Sequence, residues 1–214
     1  MAEARAACPA VQPTAAQPAG YQVVVPDGWV PIKLGPGRLE RSVARLVDRQ
    51  FAGIDNAPHL KAQARQELLR RAGAARQAGG VEMFLSMMRI EGLPIAASLT
   101  TYVVPAGRLS PDDLAPELAG EGDKVTVVDL PAGRAVRIVR DAAPPEAWAS
   151  GAAPAGPDRD ELALALVSRE VQVFLPVPGG AGAWLLLVFA APLGPLAPAM
   201  TNLFDAICQT LRWR

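Results

Sequence analysis

The chain has 214 residues, half of them apolar and a fifth charged, a balance that belongs to globular rather than disordered proteins. Its 21 basic and 21 acidic side chains cancel, which argues against general nucleic-acid binding, because meeting phosphates calls for a basic excess. Two thiols, Cys8 and Cys208, fit a reducing compartment, and the most apolar run, 184–191, falls far short of the ~20 residues that span a bilayer. A cytoplasmic protein with no membrane insertion is the expectation.

Residues 1–20 are rich in Ala, Pro and Gln, show no periodicity and lack the apolar core of a signal peptide; a disordered tail is expected there. Order is expected from Tyr21, in a single domain over 21–214. Two short β-like runs, 21–25 and 29–34, flank Pro26-Asp27-Gly28, a strong turn signal, and this predicts a hairpin. Leu39, Val43, Leu46, Val47 and Phe51 then recur at helical spacing, and Gly53 marks the end of that helix. A second helix opens at Asn56 and Pro58 and runs to about Ala78, before Gly79-Gly80.

Beyond the helices the chain predicts mainly hairpins. Residues 81–89 alternate, with Val81, Met83, Leu85 and Met87 on one face, and 95–104 form the next strand. Ser110-Pro111-Asp112-Asp113 opens a short acidic helix, with Ser as N-cap and Pro in the first turn. Residues 124–129 and 134–140 flank a turn at 130–133, and 141–159, rich in Pro, Ala and Gly, is expected to be a mobile loop. Residues 162–175 and 183–191 are apolar on both faces, as central strands are, joined through Pro178-Gly179-Gly180. Pro195 leads into a last helix through Leu203, Phe204, Ile207 and Leu211, ending at Trp213. Short connections imply antiparallel pairing. The fold class is therefore α+β: a meandering antiparallel sheet built from hairpins, flanked by helices as an α/β/α sandwich, with a C-terminal closing helix.

Catalytic patterns are missing. The one histidine, His59, sits at a helix start without a Gly-x-Ser-x-Gly nucleophile, and one His with two distant Cys cannot build a zinc site. No phosphate-cradling loop of either glycine-rich type occurs. Asp112, Asp113 and Glu117, and likewise Asp158, Asp160 and Glu161, are solvated charge rather than acid–base pairs. Cys208 reads as a small buried hydrophobe. Met83, Met87 and Met88 could line an adaptable groove but more simply fill a core. No enzyme activity, cofactor or metal is expected.

Charge carries the one asymmetry. From Arg38 to Arg76 there are nine basic side chains against four acidic ones, an excess of five that the rest of the neutral chain balances. Arg41, Arg45 and Arg49 are spaced four apart, along one side of the first helix, where guanidinium groups can grip carboxylates. They are the candidate partner-binding residues, for an acidic protein surface or for head-to-tail self-association.

The order of elements, with Pro26-Asp27-Gly28-Trp29 near the start and Trp184 to Phe189, Leu203 to Ile207 and Leu211-Arg212-Trp213 at the end, resembles the Mog1/PsbP-like fold. The sequence is also similar in style to uncharacterised actinobacterial proteins found beside type VII secretion genes. The resemblance implies a non-enzymatic interaction or scaffolding module, an accessory protein of such a secretion system. The alternative is a small-ligand carrier with a pocket between sheet and helices.

Overall fold

The computed structural model describes residues 18–35, 37–51, 58–90, 93–95, 97–142, 168–180, 182–191 and 196–214. In chain order the elements are β1 (Tyr21–Gln22), β2 (Trp29–Lys33), α1 (Leu39–Gln50), α2 (Pro58–Gln77), β3 (Gly80–Ser86), β4 (Arg89–Ile90), β5 (Leu93–Pro94) and β6 (Ser98–Pro105). They continue with α3 (Pro111–Leu118), β7 (Lys124–Leu130), β8 (Gly133–Ala142), β9 (Ser168–Pro176), β10 (Ala183–Ala191), α4 (Ala197–Gln209) and β11 (Arg212–Trp213).

Seven strands form one antiparallel sheet in the order β2-β3-β6-β10-β9-β8-β7. β7 to β10 are a true meander, and β2-β3-β6 are a second one; β10 joins the two by pairing with β6 along its whole length. Both strands expected to be central are interior: β10, apolar throughout, and β9, although β9 also carries Arg169, Glu170 and Gln172.

Antiparallel register sorts the side chains into two faces, since directly paired residues point the same way. Phe84, Leu99, Phe189, Val171 and Val139 lie in one such row. Together with Leu185 and Leu187 they build the larger core, and α4 covers it through Met200, Phe204 and Ile207. Phe204 is fully buried, its ring stacked on Phe189 at 4.8 Å between centroids. The opposite face carries α1 and α2 over β2 and β3, and α3 over Val136, Ile138, Phe174 and Trp184. Helices therefore flank both faces, as the apolar stripes predict.

Two expected elements are different in the structure. β1 does not form a hairpin with β2. The Pro26–Gly28 turn is present, with Gly28 at φ 85 and the Trp29 amide donating to the Pro26 carbonyl at 3.2 Å. It redirects the chain instead: β2 pairs with β3, and β1 pairs with β11. Pro31, which cannot donate to a ladder, sits in β2 at the sheet's edge. The last helix stops at Gln209 rather than Trp213, because Arg212 and Trp213 extend to pair with Gln22 and Tyr21.

A register shift between Gly80 and Glu82 turns Val81 out to solvent, whereas Met83 and Leu85 face α1 and α2 as expected. Ser110 caps α3 as its sequence predicts, accepting from the Asp113 amide at 3.2 Å. The expected tail up to residue 17, the opening of α2 at Asn56, the loop from 143 to 159, the 162–167 start of β9 and the approach to α4 at Pro195 lie outside the described residues. Among those described, no helix is long and apolar enough to cross a membrane.

Candidate functional site

A concavity lies between the α1–α2 pair and the sheet, with a volume of about 490 Å³. It follows from how the two helices are held. The apolar stripe of α1 buries Leu39, Val43, Leu46 and Val47. α2 has a weaker stripe, and only Ala72 and Ala75, both near its C-terminal end, are buried. These small side chains let that end approach the sheet closely. A Cβ on Gly80 would stand 2.7 Å from the Ala75 carbonyl oxygen, so glycine is required at this contact. Further back along α2, Leu68 and Ala64 are only half-buried and form one wall of the groove.

α1 supplies Leu46, Val47 and Phe51 to the opposite wall. The floor is Met83 and Leu85 of β3, Ser98 of β6 and Ala190 of β10, with Met87 beside them. The lining is mostly apolar; Gln50 and Arg71 are its long polar side chains. Arg71 is not a free charge, because it and Arg70 both grip Glu67, whose carboxyl their hydrogen bonds pull down to about 2. Two methionines in the lining give it an adaptable surface. Volume and composition match the usual small-molecule pocket of about 300–1,000 Å³.

The three arginines singled out by sequence lie elsewhere. Arg41, Arg45 and Arg49 are exposed on the flank of α1 turned away from the groove. Lys33, Arg38, Arg41, Ser42 and Arg45 edge a second, shallower concavity of about 210 Å³. Arg41 donates Nε to the Gly37 carbonyl at 2.9 Å. Among the described residues no carboxylate ion-pairs with Arg38, Arg41, Arg45 or Arg49. Most arginines on the sheet are paired instead, as Arg137 is with Asp205 at 2.7 Å and Arg169 with Asp141 at 2.5 Å. The basic row thus keeps its charge.

The other candidates resolve simply. His59 is exposed at the start of α2. Cys208 is a free, buried thiol, and burial, with the nearby Asp205 charge, pushes its pKa up to about 12, the reverse of what a nucleophile needs. Asp112 pairs with Arg134 at 2.8 Å, and Asp113 accepts from the Ser110 hydroxyl at 2.6 Å. Asp158, Asp160, Glu161 and Cys8 lie outside the described residues. Of the methionine trio, Met83 and Met87 reach the groove, while Met88 packs into the core on the other face. Sequence reasoning offers a pocket between sheet and helices only as the alternative function, and of its lining it names only Met83 and Met87 as groove residues. The groove's one local signal was the alternation of Met83, Leu85 and Met87, which shows an apolar face but not that α2 leaves it partly uncovered.

Fold and groove together define an α+β protein in which a helix pair roofs an apolar groove on one face of an antiparallel sheet. No protein-family model matches the chain, and no curated protein matches it. Among solved structures it is similar to LpqN of Mycobacterium tuberculosis, a protein involved in cell envelope biogenesis. That likeness covers 91% of this chain and 85% of that one, at 9% sequence identity and a TM-score of 0.46. Likeness at this level assigns neither a family nor a function.

Proposed function

We propose that the chain is a non-enzymatic binding protein that holds a small apolar or amphipathic molecule in the groove between α1, α2 and the sheet. The observation that carries this reading is the groove of about 490 Å³ with a mostly apolar lining. Its affinity would come from the apolar area it removes from water. Ala64 projects from α2 into this space and is only half-buried, so it can be enlarged without disturbing the core. Ala64→Phe is expected to abolish binding of an environment-sensitive apolar fluorophore while leaving the melting temperature unchanged. Binding that survives the substitution would refute the assignment.

A second reading rests on the basic row of α1. Arg41, Arg45 and Arg49, free of carboxylate partners among the described residues, suit docking onto an acidic protein surface. In that reading the module is a scaffold of the Mog1/PsbP-like kind, serving a type VII secretion system in the cytoplasm. The similarity in style to actinobacterial proteins found beside type VII secretion genes supports that setting, and the identity of the neighbouring genes tests it.

A further inference from the structure

The floor of the groove does not stop at Ala190. The register carries a row of side chains across five strands on the same face: Leu85, Ser98, Ala190, Glu170 and Arg140. Adjacent strands are ~4.8 Å apart, so Glu170 stands one strand beyond the groove's floor and Arg140 about 10 Å beyond it. The helices leave this part of the sheet open enough that Glu170 is only half-buried.

Arg140 does not neutralise Glu170. Its guanidinium Nη2 donates to Asp123 at 2.8 Å on the far side. Glu170 instead accepts from the Gln172 side-chain amide at 2.6 Å, and no cation ion-pairs with it among the described residues. Among the described residues, one arginine against two carboxylates leaves the outer end of the row negative. Tyr102 stands on the same face, and burial, with the Glu170 charge adding to it, raises its hydroxyl pKa above the ordinary value.

We infer that the groove takes an amphiphile whose polar end is a protonated amine, with its apolar body over Leu85 and Ala190 and its ammonium group at Glu170. This rests on the reading of the groove as a small-molecule site. An ammonium supplies the cationic partner that Glu170 lacks among the described residues. A carboxylate or phosphate head would meet repulsion there, and an uncharged head would leave the carboxylate unanswered.

The test compares three probes of equal chain length, dodecylamine, dodecanol and dodecanoate, below their micellar concentrations and at about pH 7, where the amine is charged and the acid ionised. Calorimetric titration of the full chain is expected to give an amine affinity about ten-fold above that of the alcohol, with the carboxylate weakest. Glu170→Gln should bring amine and alcohol level without changing the alcohol's affinity. Glu170→Lys should invert the order in favour of dodecanoate. If the wild type binds amine and alcohol alike, or Glu170→Gln keeps the amine preference, the assignment of the head group is overturned while the groove stands. If none of the three probes binds, or Ala64→Phe binds them as the wild type does, the groove reading itself fails.

Discussion

Removing the ring of Phe204 is the sharpest test of how the sheet is closed on its α4 face. The side chain is fully buried, stacked on Phe189, and shares a core with Leu185, Leu187 and Ile207. Phe204→Ala deletes those contacts and leaves a void lined by residues that are themselves anchored in strands, so the site can collapse only partly. Buried Phe→Ala changes of this type cost about 3–5 kcal/mol. The aromatic stack contributes about 0.5–1.5 kcal/mol beyond burial, which favours the upper half of that range. For a chain of this size, about 2–4 °C per kcal/mol converts the loss into a melting temperature about 6–20 °C lower. Urea unfolding followed by circular dichroism reads the free energy directly, and the slope against urea should stay constant if only stability has changed. Leu203→Ala, on a half-buried neighbour, should cost clearly less. A loss below about 1 kcal/mol for Phe204→Ala would mean that α4 does not seal the core, and the packing argument would be wrong.

Three further outcomes are expected. Reversing Arg41, Arg45 and Arg49 together to Glu should keep the melting temperature within a few degrees, because all three are exposed; it should slow capture of an acidic partner most at low salt, and equal capture at low salt would dismiss the second reading. In a Cys8→Ser background, Cys208 should resist thiol reagents at about pH 8 in the native protein and react fully in urea; fast native labelling would contradict its burial. The same thiol shapes the alkaline limb of stability. Its pKa rises from 9.0 to about 12 on folding, so the native state holds a proton that the unfolded chain sheds. That contribution is complete below about pH 9 and is lost as pH climbs towards about 12; Cys208→Ala should flatten this part of the profile.

Much of the architecture is legible in the chain because it is written locally. Ser110-Pro111 announces α3 through a cap that needs only three residues, and the stripe Leu39, Val43, Leu46 and Val47 fixes both the existence and the buried face of α1. Continuous apolarity in β10 places it inside the sheet. What fails is pairing at a distance. Nothing in residues 21–25 reveals that Tyr21 will lie opposite Trp213, since both neighbouring hairpin and remote ladder suit the same short strand. The hydrogen bond from Trp213 Nε1 to the Ala132 carbonyl at 2.9 Å, which anchors β11, is equally silent in sequence. The site divides in the same way. The basic row is visible because i, i+4 spacing is local. The groove is legible only as an alternative, a pocket between sheet and helices without most of its lining, because it arises where α2 packs tightly at Ala72 and Ala75 but less so at Leu68, and the link from Ala190 to Glu170 exists only once β9 and β10 are in register.

The pairing of β6 with β10 has a consequence for how the chain is made. On the ribosome β2, β3 and β6 emerge early, and their three-stranded meander can form with the helices over it. Its inner border, along β6, is the seam that β10 will fill, and β10 follows about 80 residues later, or about 4–16 s at synthesis rates of about 5–20 residues per second. Throughout that interval the half-built sheet presents a ladder of unanswered amides and carbonyls beside Leu99, a surface open to any other extended strand. The nascent chain, more than the finished protein, is therefore the form most exposed to strand-to-strand aggregation, and slowing translation between β6 and β10 should lower the soluble yield of a protein whose native stability is unaltered.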